Sequence, residues 1–249
     1  MKNVVILTTH KLNDAIRLQI LKLNEEVTDS AHLVVLYQGD YGAMDFPDGI
    51  RTYSYTVETL NNLGYNPIAE TIVPGSNHFP LLQFYKDNMQ YDYYWNIEYD
   101  VRFNGDWRTF FSFFEAKDDD FITSHIETLS EHPSWPHWDK MELNDTYIPL
   151  NEYIRSFNPI YRISCRALDF LDNFLSRKNS GHHELLIPTV LKHYGFKVAD
   201  MGGKGSFIYK GMPDLFYTDD SAFQSTMRYR PVYSECDMQI SDKLYHPVK

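Results

Sequence analysis

Two carboxylates separated by a single residue stand near the middle of the chain, in the triplet Glu98-Tyr99-Asp100. They follow an aromatic, β-prone run at residues 91–97, which predicts a strand that ends at the triplet. Because side chains alternate between the faces of a strand, Glu98 and Asp100 point to one side. Neighbouring carboxylates repel each other unless a proton or a cation lies between them. Since Mg²⁺ and Mn²⁺ prefer oxygen ligands, the pair predicts a metal that in turn holds a diphosphate.

The triplet also has an ordinary explanation, because most acid-x-acid triplets are solvated charges on surface loops. Its context favours the metal site. The residues before it read Tyr-Tyr-Trp-Asn-Ile at 93–97, and a surface loop would rarely carry such a run.

The composition describes a folded chain with excess negative charge. Its 249 residues suffice for one large α/β domain or two small ones, and a hydrophobic content of 43% supports a sizeable core. The formal net charge of −11 argues against a nucleic-acid partner and against an anionic membrane. A protein this acidic needs local positive charge to bind a diphosphate, and a metal ion would supply it.

Cysteine usage and the N-terminus bear on the compartment. Cys165 and Cys236 lie far apart and lack metal-binding spacing, which fits a reducing cytoplasm. The first apolar run, at residues 4–7, is too short for a signal peptide or a membrane span. We therefore expect a cytoplasmic protein without a transmembrane segment.

Hydrophobic periodicity predicts the elements that would position the acid pair. Apolar runs at 4–8 and 32–37 predict buried strands, and helical spacing at 13–23 predicts a helix between them, as in a βαβ unit. Further strands are predicted at 93–97, 121–124, 160–163, 196–198 and 207–209, and helices at 80–89, 107–114 and 183–194. The sequence thus predicts an α/β fold with a mostly parallel central sheet flanked by helices. We expect the sheet in the N-terminal half and a more irregular C-terminal half packed against it.

Three features together resemble the GT-A-fold glycosyltransferases, which bind nucleotide sugars. The first predicted strand ends in Thr8-Thr9-His10, a βαβ start follows, and the aromatic strand in mid-chain ends in an acid-x-acid triplet. Residues 94–107 form the closest match and look like the variant triplet of little-characterised members of this family. The departure is Glu at the first position in place of the usual Asp. In many such enzymes the last Asp of the triplet makes the principal metal contact.

The resemblance implies one glycosyltransferase-like domain over residues 1–249, with a nucleotide-binding half at about 1–105 and an acceptor half at about 106–249. It implies a nucleoside-diphosphate sugar as the donor and Mn²⁺ or Mg²⁺ as the metal, both at the C-terminal edge of the sheet. It implies that the donor contacts Thr8, Thr9, His10, Glu98 and Tyr99, and that the metal contacts Glu98, Asp100 and His246. Ordinary turn polarity and a solvated tail histidine are the alternatives.

A second group of chemical residues opens a predicted helix at Gly181-His182-His183-Glu184. Glu184 is either a plain first-turn acid, which suits the positive end of a helix, or a general base. Many inverting enzymes of the resembled family place an acid at such a position, where it deprotonates the attacking hydroxyl. The two histidines are adjacent and should diverge on a helix, so we do not expect one ion to take both.

The long stretch at residues 131–144 contains two Pro and two Trp residues and is predicted to be a loop. Trp135 and Trp138 on this rigid loop are our candidate platform for the acceptor or the sugar, and we also predict a substrate contact for His183. The expected acceptor is a carbohydrate or a lipid-linked acceptor. A structural plug beneath the loop is the alternative.

Three functions remain open from the sequence. The first is metal-dependent transfer of a sugar from a nucleoside-diphosphate donor. The second is a metal-dependent nucleotide-sugar hydrolase or nucleotidyltransferase; residues 8–13 lack the Gly-rich loop that a nucleotidyltransferase would normally carry. The third is a carbohydrate-binding protein with a degenerate site.

Overall fold

The computed structural model describes residues 2–27, 31–72, 75–218, 226–228, 230 and 232–249. The strands are β1 (Asn3–Thr9), β2 (Ala31–Gln38), β3 (Arg51–Tyr55), β4 (Tyr93–Glu98), β5 (Arg102–Phe103), β6 (Phe121–Thr128), β7 (Met141–Glu142), β8 (Ile154–Ser164), β9 (Ser180–Gly181), β10 (Val198–Asp200) and β11 (Leu244–Tyr245). The helices are α1 (Asp14–Glu26), α2 (Val57–Asn61), α3 (Phe79–Asp87), α4 (Trp107–Phe114), α5 (Cys165–Ser176) and α6 (His183–His193).

Within the described ranges, seven strands form the main sheet in the order β10-β6-β8-β4-β1-β2-β3. The pairs β1–β2, β1–β4, β2–β3 and β6–β10 are parallel, whereas β8 runs antiparallel to both of its neighbours, β4 and β6. The predicted α/β class, with a mostly parallel central sheet flanked by helices, is confirmed. The division into a nucleotide-binding half and an acceptor half stays a prediction.

The sheet is not confined to the N-terminal half, because β6, β8 and β10 extend it on the far side of β4. β8 is also eleven residues long, where the sequence predicts a strand only at 160–163. The first part of β8 could not be predicted from the apolar pattern, because buried polar residues such as Ser156 and Asn158 interrupt that pattern. Ser156 Oγ donates a 2.7 Å hydrogen bond to Asn158 Oδ1, so these groups are satisfied inside the sheet.

Two hydrophobic clusters lie on opposite faces of the sheet, as alternation along the strands requires. Ile6 faces the cluster that contains α3, α5 and α6, and the next residue, Leu7, faces the one that contains α1 and α4. Both side chains are fully buried, which stabilises the fold by roughly 1.5–3 kcal/mol for each residue of this size. The helices therefore fix the sheet from both sides and leave its C-terminal edge to carry polar groups.

Some short elements differ from the prediction in the second half of the chain. The strand predicted at 196–198 begins later, as β10, and the strand predicted at 207–209 is reduced to one bridge between Ile208 and Asp200. None of the helices in the described residues combines the length and the apolar character needed to cross a bilayer.

Candidate active site

The two carboxylates of the acid triplet meet a histidine from the C-terminal tail at the edge of the main sheet. Glu98 is the last residue of β4, and Asp100 follows two residues later. His246 Nε2 lies 3.5 Å from Glu98 Oε2 and 3.4 Å from Asp100 Oδ1. One ligand atom from each of the three residues falls within a group whose members are at most 4.8 Å apart. The chain thus brings together the two carboxylates predicted from the triplet and the imidazole that the family resemblance implied for the metal.

Backbone hydrogen bonds hold the tail in place. Strand β11 pairs antiparallel with β5, which follows the acid triplet directly. The N–H of Val248 then donates to Asp100 O at 2.8 Å, and the N–H of His246 donates to Thr226 O at 2.9 Å. His246 Nδ1 lies 3.1 Å from Arg228 O, and this contact assigns the Nδ1 proton to the carbonyl and turns Nε2 toward the carboxylates.

In this triad the carboxylates and the imidazole stabilise each other's charged forms. Burial alone would lower the pKa of His246, but its contacts with Asp100 and Glu98 outweigh burial and raise that pKa to about 9. Burial alone would raise the pKa of Asp100, but His246 and the Lys249 ammonium hold it below its ordinary value. Asp100 Oδ1 is buried and has no well-formed hydrogen bond in the described part of the chain. Two carboxylates and a neutral imidazole would satisfy Mn²⁺ or Mg²⁺ once the imidazolium proton is released.

Residues at the end of β1 lie beside the triad, because Thr8 pairs with Glu98 in parallel register. Thr8 Oγ1 donates to Asn96 Oδ1 at 2.8 Å, and the Tyr99 N–H donates to Thr8 O at 3.0 Å. The ring of the exposed His10 packs edge-on against Tyr99, with centroids 5.0 Å apart. Thr9, the third residue of this group that we predicted to contact the donor, is buried. Its hydroxyl is hydrogen-bonded to the Lys11 backbone and stabilises the turn after β1.

Two tail lysines differ in their availability for a phosphate. Lys249 Nζ lies 3.7 Å from Asp100 Oδ2, at the entrance to the triad. Lys243 Nζ instead donates to the backbone oxygens of Asp214 and Leu215, at 2.6 and 2.9 Å. The charge of Lys243 is therefore paired within the protein, whereas the Lys249 side chain is about half exposed beside Asp100.

Glu184 lies in the first turn of α6 and faces the middle of β8. The backbone N–H of Asn158 donates to Glu184 Oε1 at 3.2 Å. Burial raises the pKa of Glu184 to about 7 and the Glu98 charge adds to the rise, while the Asn158 N–H, Arg155 and His246 oppose it. A carboxyl group whose pKa is raised to about 7, and which interacts with the charges of Glu98 and His246, is suited to general acid–base chemistry.

The adjacent histidines His182 and His183 do not diverge, contrary to our expectation. His182 is the N-cap residue with an extended backbone, so its ring lies 5.0 Å from that of His183, and both come within 4.8 Å of Glu184. However, His182 Nδ1 accepts the Glu184 N–H at 3.3 Å, which commits that lone pair. The positive end of a helix also disfavours a cation. These contacts favour the Glu98 triad as the metal site.

The Trp-bearing loop is tied to the start of α6, because β7 pairs with β9. Trp135 is half-buried and lies edge-on to the ring of His182, with centroids 5.6 Å apart. Trp138 Nε1 donates to His132 O at 2.9 Å. Both indoles therefore lie on the Glu184 side of the site, whereas His183 is buried and its Nδ1 finds no partner among the described residues.

Sequence reasoning missed Asn158 and Arg155, which set the surroundings of Glu184. Asn158 Oδ1 also accepts a 2.7 Å hydrogen bond from Thr123 Oγ1, and Arg155 forms an ion pair with Glu127. Neither residue stands in a recognisable motif. The available signal was the pair of polar residues Ser156 and Asn158 in a stretch that is otherwise partly apolar. We interpreted this pair as lying outside the strand, and the predicted strand was therefore too short.

Comparisons with known proteins add few constraints. A family model described as a protein of unknown function (DUF3405) matches residues 53–120, which include the acid triplet. No curated protein matches the chain in sequence. One similar solved structure is a Bacillus anthracis protein described as a glucose-1-phosphate thymidylyltransferase, in complex with sucrose, at 12% identity and a TM-score of 0.46 over 82% of this chain and 87% of that one. Another is an active-site mutant of LgtC, at 10% identity and a TM-score of 0.44 over 80% and 72%. At such scores the likeness carries no argument about function.

Proposed function

We propose that the protein transfers a sugar from a nucleoside-diphosphate donor to a carbohydrate or lipid-linked acceptor with the help of Mn²⁺ or Mg²⁺. The observation that carries this proposal is the triad of Glu98, Asp100 and His246 at the C-terminal edge of parallel strands β1 and β4. Ligands of open α/β sheets bind at this edge. The likeness of residues 94–107 to GT-A-fold glycosyltransferases supports the same chemistry.

The triad would hold the metal, whose positive charge would offset the charge that develops on the leaving diphosphate. Lys249 would add a second positive charge beside the phosphates, since its ammonium already faces Asp100. Thr8, His10 and Tyr99 would contact the nucleoside, as they lie at the end of β1 next to the triad.

Glu184 would act on the acceptor. As the acceptor oxygen forms a bond to the anomeric carbon, the bond from that carbon to the diphosphate oxygen breaks, and the hydroxyl proton passes to the Glu184 carboxylate. This arrangement inverts the configuration at the anomeric carbon. Trp135 and Trp138 would offer apolar faces to the acceptor on the same side of the site.

The experiment that tests the proposal is a thermal-shift panel of UDP, GDP and dTDP with their sugar derivatives, each with and without Mn²⁺. A ligand at 100 times its Kd stabilises the folded state by about 2.7 kcal/mol, which raises the Tm of a chain of this size by roughly 5–10 °C. We expect such a shift for one nucleotide series, only with metal.

The matched variants are Asp100→Asn and Asp118→Asn. Asp100→Asn should abolish the metal-dependent shift and keep the fold, because it removes ligand charge without opening a cavity. Asp118 is largely exposed and pairs with Lys197 before β6, away from the triad, so its variant should behave like the parent. An unchanged Mn²⁺-dependent shift in Asp100→Asn would refute the triad as the metal site. Release of diphosphate without any acceptor would identify a hydrolase instead.

A further inference from the structure

His125 has a backbone conformation that non-glycine residues rarely adopt. It lies inside β6 with φ of 51°, where the pairing of β6 with β8 is irregular. The left-handed region costs most residues about 1 kcal/mol or more, and such positions cluster at functional sites when the surroundings enforce them. This conformation therefore lowers the free energy of unfolding unless the surroundings compensate for it.

A buried carboxylate enforces the conformation. Asp200, at the end of β10, accepts the N–H of His125 at 3.1 Å and the N–H of Ile126 at 2.8 Å. It also accepts the N–H groups of Gly202 and Gly203, at 2.8 and 2.7 Å. A Cβ on Gly203 would lie 2.3 Å from Asp200 Oδ2, so this close approach requires glycine. Four backbone donors on one carboxylate make a rigid support for the bulge in β6.

The imidazole of His125 is half-buried and lies next to the active site. Its ring centroid is 6.4 Å from that of Phe157, whose ring is 5.5 Å from that of His246. The residue after Phe157 is Asn158, which holds Glu184. His125 Nδ1 is itself buried and has no hydrogen-bond partner in the described part of the chain, whereas the side chain as a whole is partly exposed. A partly exposed polar ring that lies one side chain away from a proposed metal ligand can present its exposed edge to a ligand.

The strand order decides which part of the donor this ring can meet. β6 lies two strands from β4 and three from β1, so it is separated from the end of β1 by roughly 14 Å at about 4.8 Å per strand. The nucleoside at the end of β1 is therefore out of reach. In the proposed reaction the transferred sugar would extend from the diphosphate toward Glu184 on the β8 side, next to β6.

We propose that His125 binds hydroxyl groups of the transferred sugar and sets the preference among donor sugars, an inference that rests on the proposed function. A neutral imidazole both donates and accepts hydrogen bonds, which suits a hydroxyl pair. Asp200 acts through His125 and is a positioning residue.

The test separates the sugar from the nucleotide by calorimetry with Mn²⁺, using the pairs UDP and UDP-glucose, GDP and GDP-mannose, and dTDP and dTDP-glucose. His125→Gly removes the ring and fits a φ of 51° without strain, and His125→Asn keeps a polar group that tolerates the same backbone. In the pair that binds, we expect His125→Gly to weaken the nucleotide sugar about tenfold and to leave the nucleoside diphosphate within about twofold. His32→Asn, near the start of β2, is the control and should change neither.

The possible results distinguish the two proposals. Equal affinity of parent and His125→Gly for the nucleotide sugar overturns the sugar contact and leaves the proposed function standing. Equal losses for both members of the pair overturn it as well, because they indicate a structural role. If the parent protein binds none of these nucleotides, both the proposed function and the sugar contact are overturned.

Discussion

Glu184 is the residue whose ionisation should set the pH dependence of the reaction. Its pKa rises to about 7 because the carboxyl group is buried, and because Glu98 repels its ionised form. A metal on the triad would offset the charge of Glu98, so the pKa in the loaded enzyme should lie at or below that value. The Asn158 N–H donates to Glu184 Oε1 and favours the ionised form of the carboxyl group.

We predict that turnover rises with pH through a limb at or below about 7, since only the ionised Glu184 accepts a proton. Glu184→Gln is nearly isosteric and should lower turnover by roughly 10²–10⁴-fold and remove the limb, with donor affinity unchanged. The measurement is released nucleoside diphosphate between pH 5.5 and 8.5, at saturating donor and metal. A variant that keeps the limb would assign the titration to another group, and near-parent turnover would remove Glu184 as the base.

Among the secondary-structure elements, β8 lies at the centre of the proposed site. It is the antiparallel strand between β4, which ends at the first acid of the triplet, and β6, which carries His125. The pairing of β6 with β8 has two register shifts, and bulges of this kind commonly lie beside active sites. The Asp200 carboxylate supports this distortion from β10, so the geometry of β6 depends on one buried charge.

Replacement of that charge should cost stability. Asp200→Asn exchanges one acceptor oxygen for an amide that faces backbone donors, and the loss of charge-assisted hydrogen bonds should destabilise the fold by about 2–4 kcal/mol. For a chain of this size the Tm should fall by about 5–10 °C, measured by circular dichroism. Asp139→Asn, on the exposed loop, is the matched control and should lie within about 2 °C of the parent. Equal Tm values for the two variants would contradict the support role.

Some strands and helices could be predicted from the sequence, whereas the full length and direction of β8 could not. Apolar periodicity located the β1–α1–β2 unit and the aromatic strand β4 because hydrophobic burial dominates their pattern. It shortened β8 and left its antiparallel direction unknown, because buried polar residues such as Asn158 are satisfied only by partners distant in sequence. The support of His125 by Asp200 depends in the same way on β6 and β10 becoming neighbours, which no local pattern encodes.

The site is assembled from the whole length of the chain. Residues 8–10 come from its start, the acid pair from its middle and His246 from its last strand region. The acid pair with its surrounding run was recognisable because it is local. The role of His246 came from the family resemblance, and its approach to the carboxylates depends on β11 pairing with β5. The tail is therefore both a structural element and the carrier of a proposed metal ligand.

These two roles of the tail can be separated by two variants. A chain that ends at Tyr245 loses His246, the buried Val248 and the hydrogen bond from Val248 to Asp100, so we expect a loss of about 3–5 kcal/mol and of metal-dependent nucleotide binding. Val248→Ala removes apolar burial but keeps His246, and should cost about 1–2 kcal/mol with metal-dependent binding kept within about threefold. The measurements are urea unfolding for stability and calorimetry with Mn²⁺ for binding. A truncated chain that binds nucleotide and Mn²⁺ as tightly as the parent would show that the tail histidine is not a ligand, whereas a truncated chain of parental stability would show that the tail does not anchor the sheet edge.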